Sequence, residues 1–163
     1  MKSMDKTQII AQMIRSLEAD LATLNASMME NYTTATAEEN IARSKYDTLA
    51  LEASYLVQGQ SRRSEELEEA LISLRNFTLQ DFDASSKIAM SALVTLESEE
   101  GIQRTVLLAP IGGALKVEVD GVEISLMTVV SPMGRAIMGH YLGDIVELNI
   151  AGQIKDFDVV GLS

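Results

Sequence analysis

Cysteine is absent from these 163 residues, which removes disulfides, thiolate nucleophiles and Cys-ligated metals together. A single histidine, His140, leaves no second imidazole for a His-based metal centre or a paired nucleophile, and its place on a short helix suits a surface or turn residue. There is no tryptophan, and four tyrosines with three phenylalanines offer few platforms on which bases could stack. No apolar run approaches the roughly 18 residues needed to span a bilayer. Met1-Lys-Ser-Met-Asp-Lys-Thr-Gln8 opens into a polar helix, not the apolar core of a signal peptide. Basic residues are scarce as well: 13 Lys and Arg stand against 24 Asp and Glu, for a net charge of -11. Residues 1–76 hold 8 basic and 12 acidic groups, and residues 77–163 hold 5 and 12. Neither part can displace many counterions from a phosphate backbone, so DNA or RNA would be reached only indirectly, through a protein partner. Gly112-Gly113 lacks the spacing and the Lys-Ser/Thr of a phosphate-binding loop. These absences leave no self-contained active site, and they fit a reducing, cytoplasmic address.

What the chain has is helical periodicity followed by strand alternation. Ile10, Ile14, Leu17, Leu21, Leu24 and Met28 recur in steps of four and three, an a/d seam. Leu49, Ala53, Leu56, Gln60, Arg63, Leu67, Ala70 and Leu74 repeat the alternation. The polar, β-branched stretch Asn31–Asn40 between them is a poor helix interior. The expected structure for residues 1–76 is an antiparallel coiled-coil hairpin with its tip near 33–39, on the order of 45 Å long. Symmetric pairing would set Gln60 and Arg63 opposite Ile10 to Ile14, as a splayed base, a snorkelling arginine or a polar contact. Glu65-Glu66-Leu-Glu68-Glu69 reads as a solvated face.

Residues 77–86 read as a linker, and residues 87–163 as a small antiparallel β domain with one short helix. Ala92–Glu97 and Arg104–Ala109 flank a hairpin turn, and Leu115–Ser125 alternates around Asp120-Gly121, a strong two-residue turn signal. Ser131 is placed to cap a helix beginning at Pro132 and ending near Gly139. Asp144–Asn149 and Lys155–Val160 form a last pair around Ala151-Gly152. The fold class is α+β.

Glu38-Glu39 at the expected tip admits two roles. Paired carboxylates there could share a hard cation such as Mg²⁺ if a second macromolecule supplied more oxygens. Equally, Thr36-Ala-Glu-Glu39 fits a capping box for the second helix.

Ser131-Pro-Met-Gly-Arg-Ala-Ile-Met-Gly139 resembles the Ser-Pro-x-(Gly/Ala)-Arg-(Ala/Gly)-Leu-x-Gly of the Gre (GreA/GreB) transcription elongation factors. Gly143-Asp144 resembles their Gly-Asp, and Tyr46-Asp47, Tyr55 and Gly59 resemble their second-helix pattern. The resemblance spans the chain and implies an FKBP-like C-terminal domain. It also implies RNA polymerase as partner, with the hairpin entering the secondary channel to stimulate cleavage of backtracked RNA. The Mg²⁺ would be supplied at the polymerase active site, with Glu38 and Glu39 as the catalytic, metal-facing acids. Ser131, Pro132, Met133 and Arg135 would lie at the docking surface, and a monomer is expected. Two positions depart from the family pattern: Ala42 replaces the second tip acid, and Val130 replaces an acidic residue before Ser-Pro. A non-cleaving occupant of the channel and a coiled-coil adaptor are the other readings. Prolyl isomerisation has only the fold behind it, and the aromatics are few.

Overall fold

The computed structural model describes residues 4–36, 44–113 and 115–163. Two long helices, α1 (Lys6–Thr36) and α2 (Ser44–Arg75), precede β1 (Leu93–Ser98), β2 (Gln103–Leu108), β3 (Lys116–Val119) and β4 (Val122–Met127). A short helix α3 (Pro132–Ile137) and strands β5 (Ile145–Ile150) and β6 (Gln153–Leu162) complete the order. Contacts divide the chain into two compact units. One joins Met1–Met13 to Ser73–Ser163, and the other is Ile14–Ile72. The expected division after residue 76 follows chain order, whereas contacts group the outer turns of both helices with the strands.

Within Ile14–Ile72 the helices run antiparallel, because hydrogen bonds join Asn25 to Ser64 and both Ser27 and Asn31 to Gln60. The buried stripe of α1 begins at Leu17 and continues through half-buried Leu21, Leu24, Met28 and Asn31, as the periodicity requires. The stripe of α2 differs from expectation. Ala53, Ser64, Leu67, Leu71 and Leu74 are buried, Val57 and Gln60 half-buried, while Leu56 and Arg63 face solvent. Both frames share Ala53, Gln60, Leu67 and Leu74. They diverge at the alternate positions, where Leu71 is buried and buried Ser64 bonds Asn25 of α1. Arg63 therefore need not snorkel; it pairs with Glu66 at 3.1 Å on the exposed side.

The polar layers are satisfied across the seam. Gln60 donates to Ser27 Oγ (2.9 Å) and accepts from Asn31 Nδ2 (3.0 Å), one turn apart on α1. Gln60 thus lies opposite Ser27 and Asn31, not Ile10 to Ile14. Helix α1 also continues to Thr36, into the stretch expected to form the tip. Thr33 is accommodated by donating its hydroxyl to the Met29 carbonyl, four residues back. Glu38 and Glu39 lie outside the described residues.

In the other unit, Asp5 starts α1 by accepting from the Thr7 amide at 2.9 Å. Ile9 and Met13 are fully buried and Ile10 nearly so, which shifts the apolar stripe by one position from Ile10 and Ile14. The Lys6 ammonium donates to the carbonyls of Gln80 and Ser91 and sits 4.8 Å from the Phe82 ring centroid. Burial holds its pKa below the usual lysine value, and Asp81 offsets part of that. The 77–86 segment has no helix or strand, yet Phe82 packs on the sheet's apolar core. Buried Ser91 holds a left-handed φ of 73°, accepting from the Gln80 amide through Oγ while its own amide bonds Leu108 O.

The sheet order is β3-β4-β2-β1-β6-β5. It is mixed, not wholly antiparallel: β2 and β4 pair in parallel, and β3 lies between them in sequence as part of the crossover. Asp120-Gly121 and Ala151-Gly152 both have the paired positive φ of type I′ turns. Val94, Leu96, Val106, Leu108, Val146, Leu148, Phe157 and Val159 form one core face with Ile137 of α3. The α2 frame is open to test. Gln60→Ala should cost about 1–2 kcal/mol in urea unfolding and Arg63→Ala under about 0.5. The reverse order would restore the expected phase.

Candidate docking site around helix α3

Helix α3 is only 6 residues long, and its position depends on its entry turn. Ser131 spends its hydroxyl on both sides: Oγ donates to Thr128 O at 2.8 Å and accepts from the Gly134 amide at 3.0 Å. Pro132 occupies the first helical position, where a missing N–H costs nothing. Gly134 is required by space, because a Cβ there would lie 2.1 Å from the Thr128 carbonyl oxygen. Gly139 ends the helix at a φ of 78°, and its amide bonds Ile88 O.

After the helix, Gly143 (φ 89°) donates to Val159 O at 2.8 Å, and the Val159 amide returns a bond to Asp144 O. Asp144 accepts from the Tyr141 amide (2.9 Å) and lies 3.2 Å from His140 Nδ1. The Tyr141 hydrogen bond, with His140 adding to it, holds the Asp144 carboxyl below the usual aspartate range despite some desolvation. His140 is a half-exposed turn residue whose carbonyl accepts from Ile88. Its neighbourhood closes a turn and starts β5.

The expected docking residues therefore divide by role. Ser131 is committed to the cap: its proton goes to Thr128 O and one lone pair takes the Gly134 amide. Pro132 and Arg135 are exposed, Val130 beside them is 65% exposed, and Arg135 has no ion pair among the described residues. Met133 is half-buried and lines a groove of about 530 Å³ with Met127, Val106 and Ser125. Sequence reading did not find Val106 and Met127 for this place, because the parallel β2–β4 pairing brings them there. The only hint was the alternation of apolar residues along each strand. Among the described residues no group of three or more His, Cys, Asp or Glu side chains could hold a metal.

No protein-family model matches the chain, and no curated protein does. Solved structures do. GreA factor homolog 1 (Gfh1) of Thermus thermophilus is 20% identical with a TM-score of 0.39, over 92% of this chain and 94% of that one. Gfh1 of Thermus aquaticus is 21% identical with a TM-score of 0.40, over 91% and 92%. A GreA/GreB elongation factor from Nitrosomonas europaea is 17% identical with a TM-score of 0.37, over 60% and 78%.

Two outcomes test the turn. Gly134→Ala should destabilise the protein by at least about 2 kcal/mol in thermal or urea unfolding, because backbone must shift to admit the methyl. Asp144 has a folded pKa below its unfolded value of about 3.9, so its contribution is present above that value and fades as pH falls through the folded one. The Tm gap between wild type and Asp144→Asn should therefore narrow below about pH 4. A gap constant from pH 7 to 3 would show that the charge contributes nothing.

Proposed function

We propose that this chain is a cytoplasmic, monomeric elongation factor. It binds RNA polymerase, places the α1–α2 hairpin in the secondary channel and stimulates cleavage of backtracked RNA. The observation that carries this reading is the pairing, in one chain, of two features. One is an antiparallel hairpin of 31- and 32-residue helices, each about 46–48 Å long. The other is the Ser131–Gly139 turn-helix, which leaves Val130, Pro132 and Arg135 exposed beside a Met-lined groove. The residue likeness from Val129 to Ile145 supports the same assignment. Absence of a basic face fits a factor that approaches nucleic acid only through its partner. No helix among the described residues is long and apolar enough to cross a membrane.

In this reading Glu38 and Glu39 lend carboxylate oxygens to a Mg²⁺ held mainly by the polymerase. The bound ion would lower the pKa of the attacking water. The chain's own work is to deliver the acids and to dock. Docking falls to Pro132, Met133 and Arg135, with Ser131 holding the segment in place. One observation favours a second reading. Ala42 stands at the second acid position of the family pattern, which suits a channel occupant that binds without cleaving.

The test uses a backtracked polymerase complex, comparing wild type with Glu38→Ala/Glu39→Ala and scoring binding separately. Mg²⁺-dependent shortening of the RNA 3′ end, lost in the double variant while binding persists, is the expected result. Binding with no shortening by the wild type would select the non-cleaving reading. No binding to any polymerase complex would overturn both and leave the adaptor.

A further inference from the structure

Exposure changes character along the α1–α2 arm. In residues 15–26 and 62–72, nearer Ile14 and Ile72, the exposed positions carry charge at Arg15, Glu18, Asp20, Arg62, Arg63 and the four glutamates of 65–69. Ile72 is the one large apolar side chain in water there. Farther out, in residues 29–33 and 51–59, the pattern inverts. Met29, Tyr32, Leu51, Tyr55 and Leu56 are each at least half exposed, beside two carboxylates, Glu30 and Glu52, and no cation. The bonds from Gln60 to Ser27 and Asn31 put both stretches in the same part of the arm. Large apolar side chains gathered where water could wet them mark a contact surface.

These side chains do not form one stripe. Met29 lies one turn beyond Asn25, on the flank where Asn25 meets Ser64. Leu56 lies one turn before Gln60, on the flank where Gln60 meets Ser27. Asn25 and Ser27 are two positions apart, about 200° round α1, so the two flanks are opposite. Tyr55 is two positions from both buried Ala53 and half-buried Val57. That turns it, with Leu51 one turn earlier, to the back of α2, away from α1. Exposed apolar side chains therefore look out on three sides of the arm.

We infer that this stretch is an apolar collar enclosed by a protein cavity, which touches Met29, Leu51, Tyr55 and Leu56 at once and ends before the charged residues 62–69. A flat partner, or a second copy lying alongside, would cover one side and leave the others wet. Nucleic acid is a poor occupant, because the collar offers it carboxylates and no cation. A collar this poor in charge matches a dry protein interior, and the charged part of the arm matches water. The inference rests on the polymerase reading, in which the cavity is the channel that the arm enters. It adds which side chains are gripped and how far the arm goes in.

The experiment is hydroxyl-radical labelling of the full chain, free and bound to RNA polymerase, read residue by residue by mass spectrometry. Met29, Tyr55 and Leu56 should each be labelled at least about fivefold more slowly in the complex, and Arg62 and Ile72 should stay within about twofold. Met29→Gln, Leu51→Gln and Leu56→Gln, one on each side, should each weaken binding at least about fivefold. Glu65→Gln/Glu68→Gln should leave it within about twofold. Protection on one side alone would mean a flat contact and overturn the collar, with the polymerase reading intact. So would binding without protection at the three sites, protection running on through Arg62 and Ile72, or folded variants that bind as the wild type does. Protection in the free chain that grows with its concentration would assign the collar to a second copy and overturn the enclosure. Absence of polymerase binding would remove the polymerase reading and this inference together. Circular dichroism identifies the folded variants, and labelling of the wild type needs none.

Discussion

One ammonium group organises the strand-bearing unit. Lys6 reaches from the first turn of α1 to two backbone carbonyls, Gln80 O and Ser91 O, and meets the Phe82 ring. A buried charge needs such partners, and here the partners are main-chain groups from separate stretches of sequence. The result draws the 77–86 segment onto the sheet and fixes Ser91 where the chain turns into β1. Ser91 in turn supplies every polar group it has: its carbonyl to Lys6, its hydroxyl to Gln80 and its amide to Leu108. The stretch that composition marks as a linker is held to the rest of its unit at Gln80 and Phe82.

Local patterns were legible where one residue type answers one geometric demand. Asp120-Gly121 and Ala151-Gly152 turn as their residues imply, Ser131 caps, and Pro132 begins a helix. The α1 seam was readable from Leu17 onward. The α2 phase was not, because Leu56 and Val57, or Ala70 and Leu71, fit either frame equally well. Only pairing with α1 separates them. The parallel β2–β4 contact was equally hidden, since alternation says which face a residue takes but not which strand lies beside it.

The likeness around Ser131 has a double origin. Ser131, Gly134, Gly139 and Gly143 are each held to their identity by a hydrogen bond, a close approach or a left-handed turn. Such residues recur wherever this turn is built, whatever it binds. The side chains of Val130 and Arg135 are exposed and take no part in the turn, whereas Pro132 occupies the first helical position and Met133 packs on the core. A change at Val130 or Arg135 therefore alters the surface without touching the scaffold.

Strand β6 has a consequence for the order of assembly. It follows all the other strands in sequence, yet it lies between β1 and β5 and pairs with both. As the chain is made, β1 to β4 emerge with the β1 edge open, and β5 has no neighbour until β6 arrives. The turns of α1 before Ile14 belong to this same unit and wait with them. The Ile14–Ile72 hairpin closes from contiguous residues and can pair early. Synthesis thus presents a formed arm before the body that carries it is complete, and an exposed β1 edge is what a chaperone would meet first.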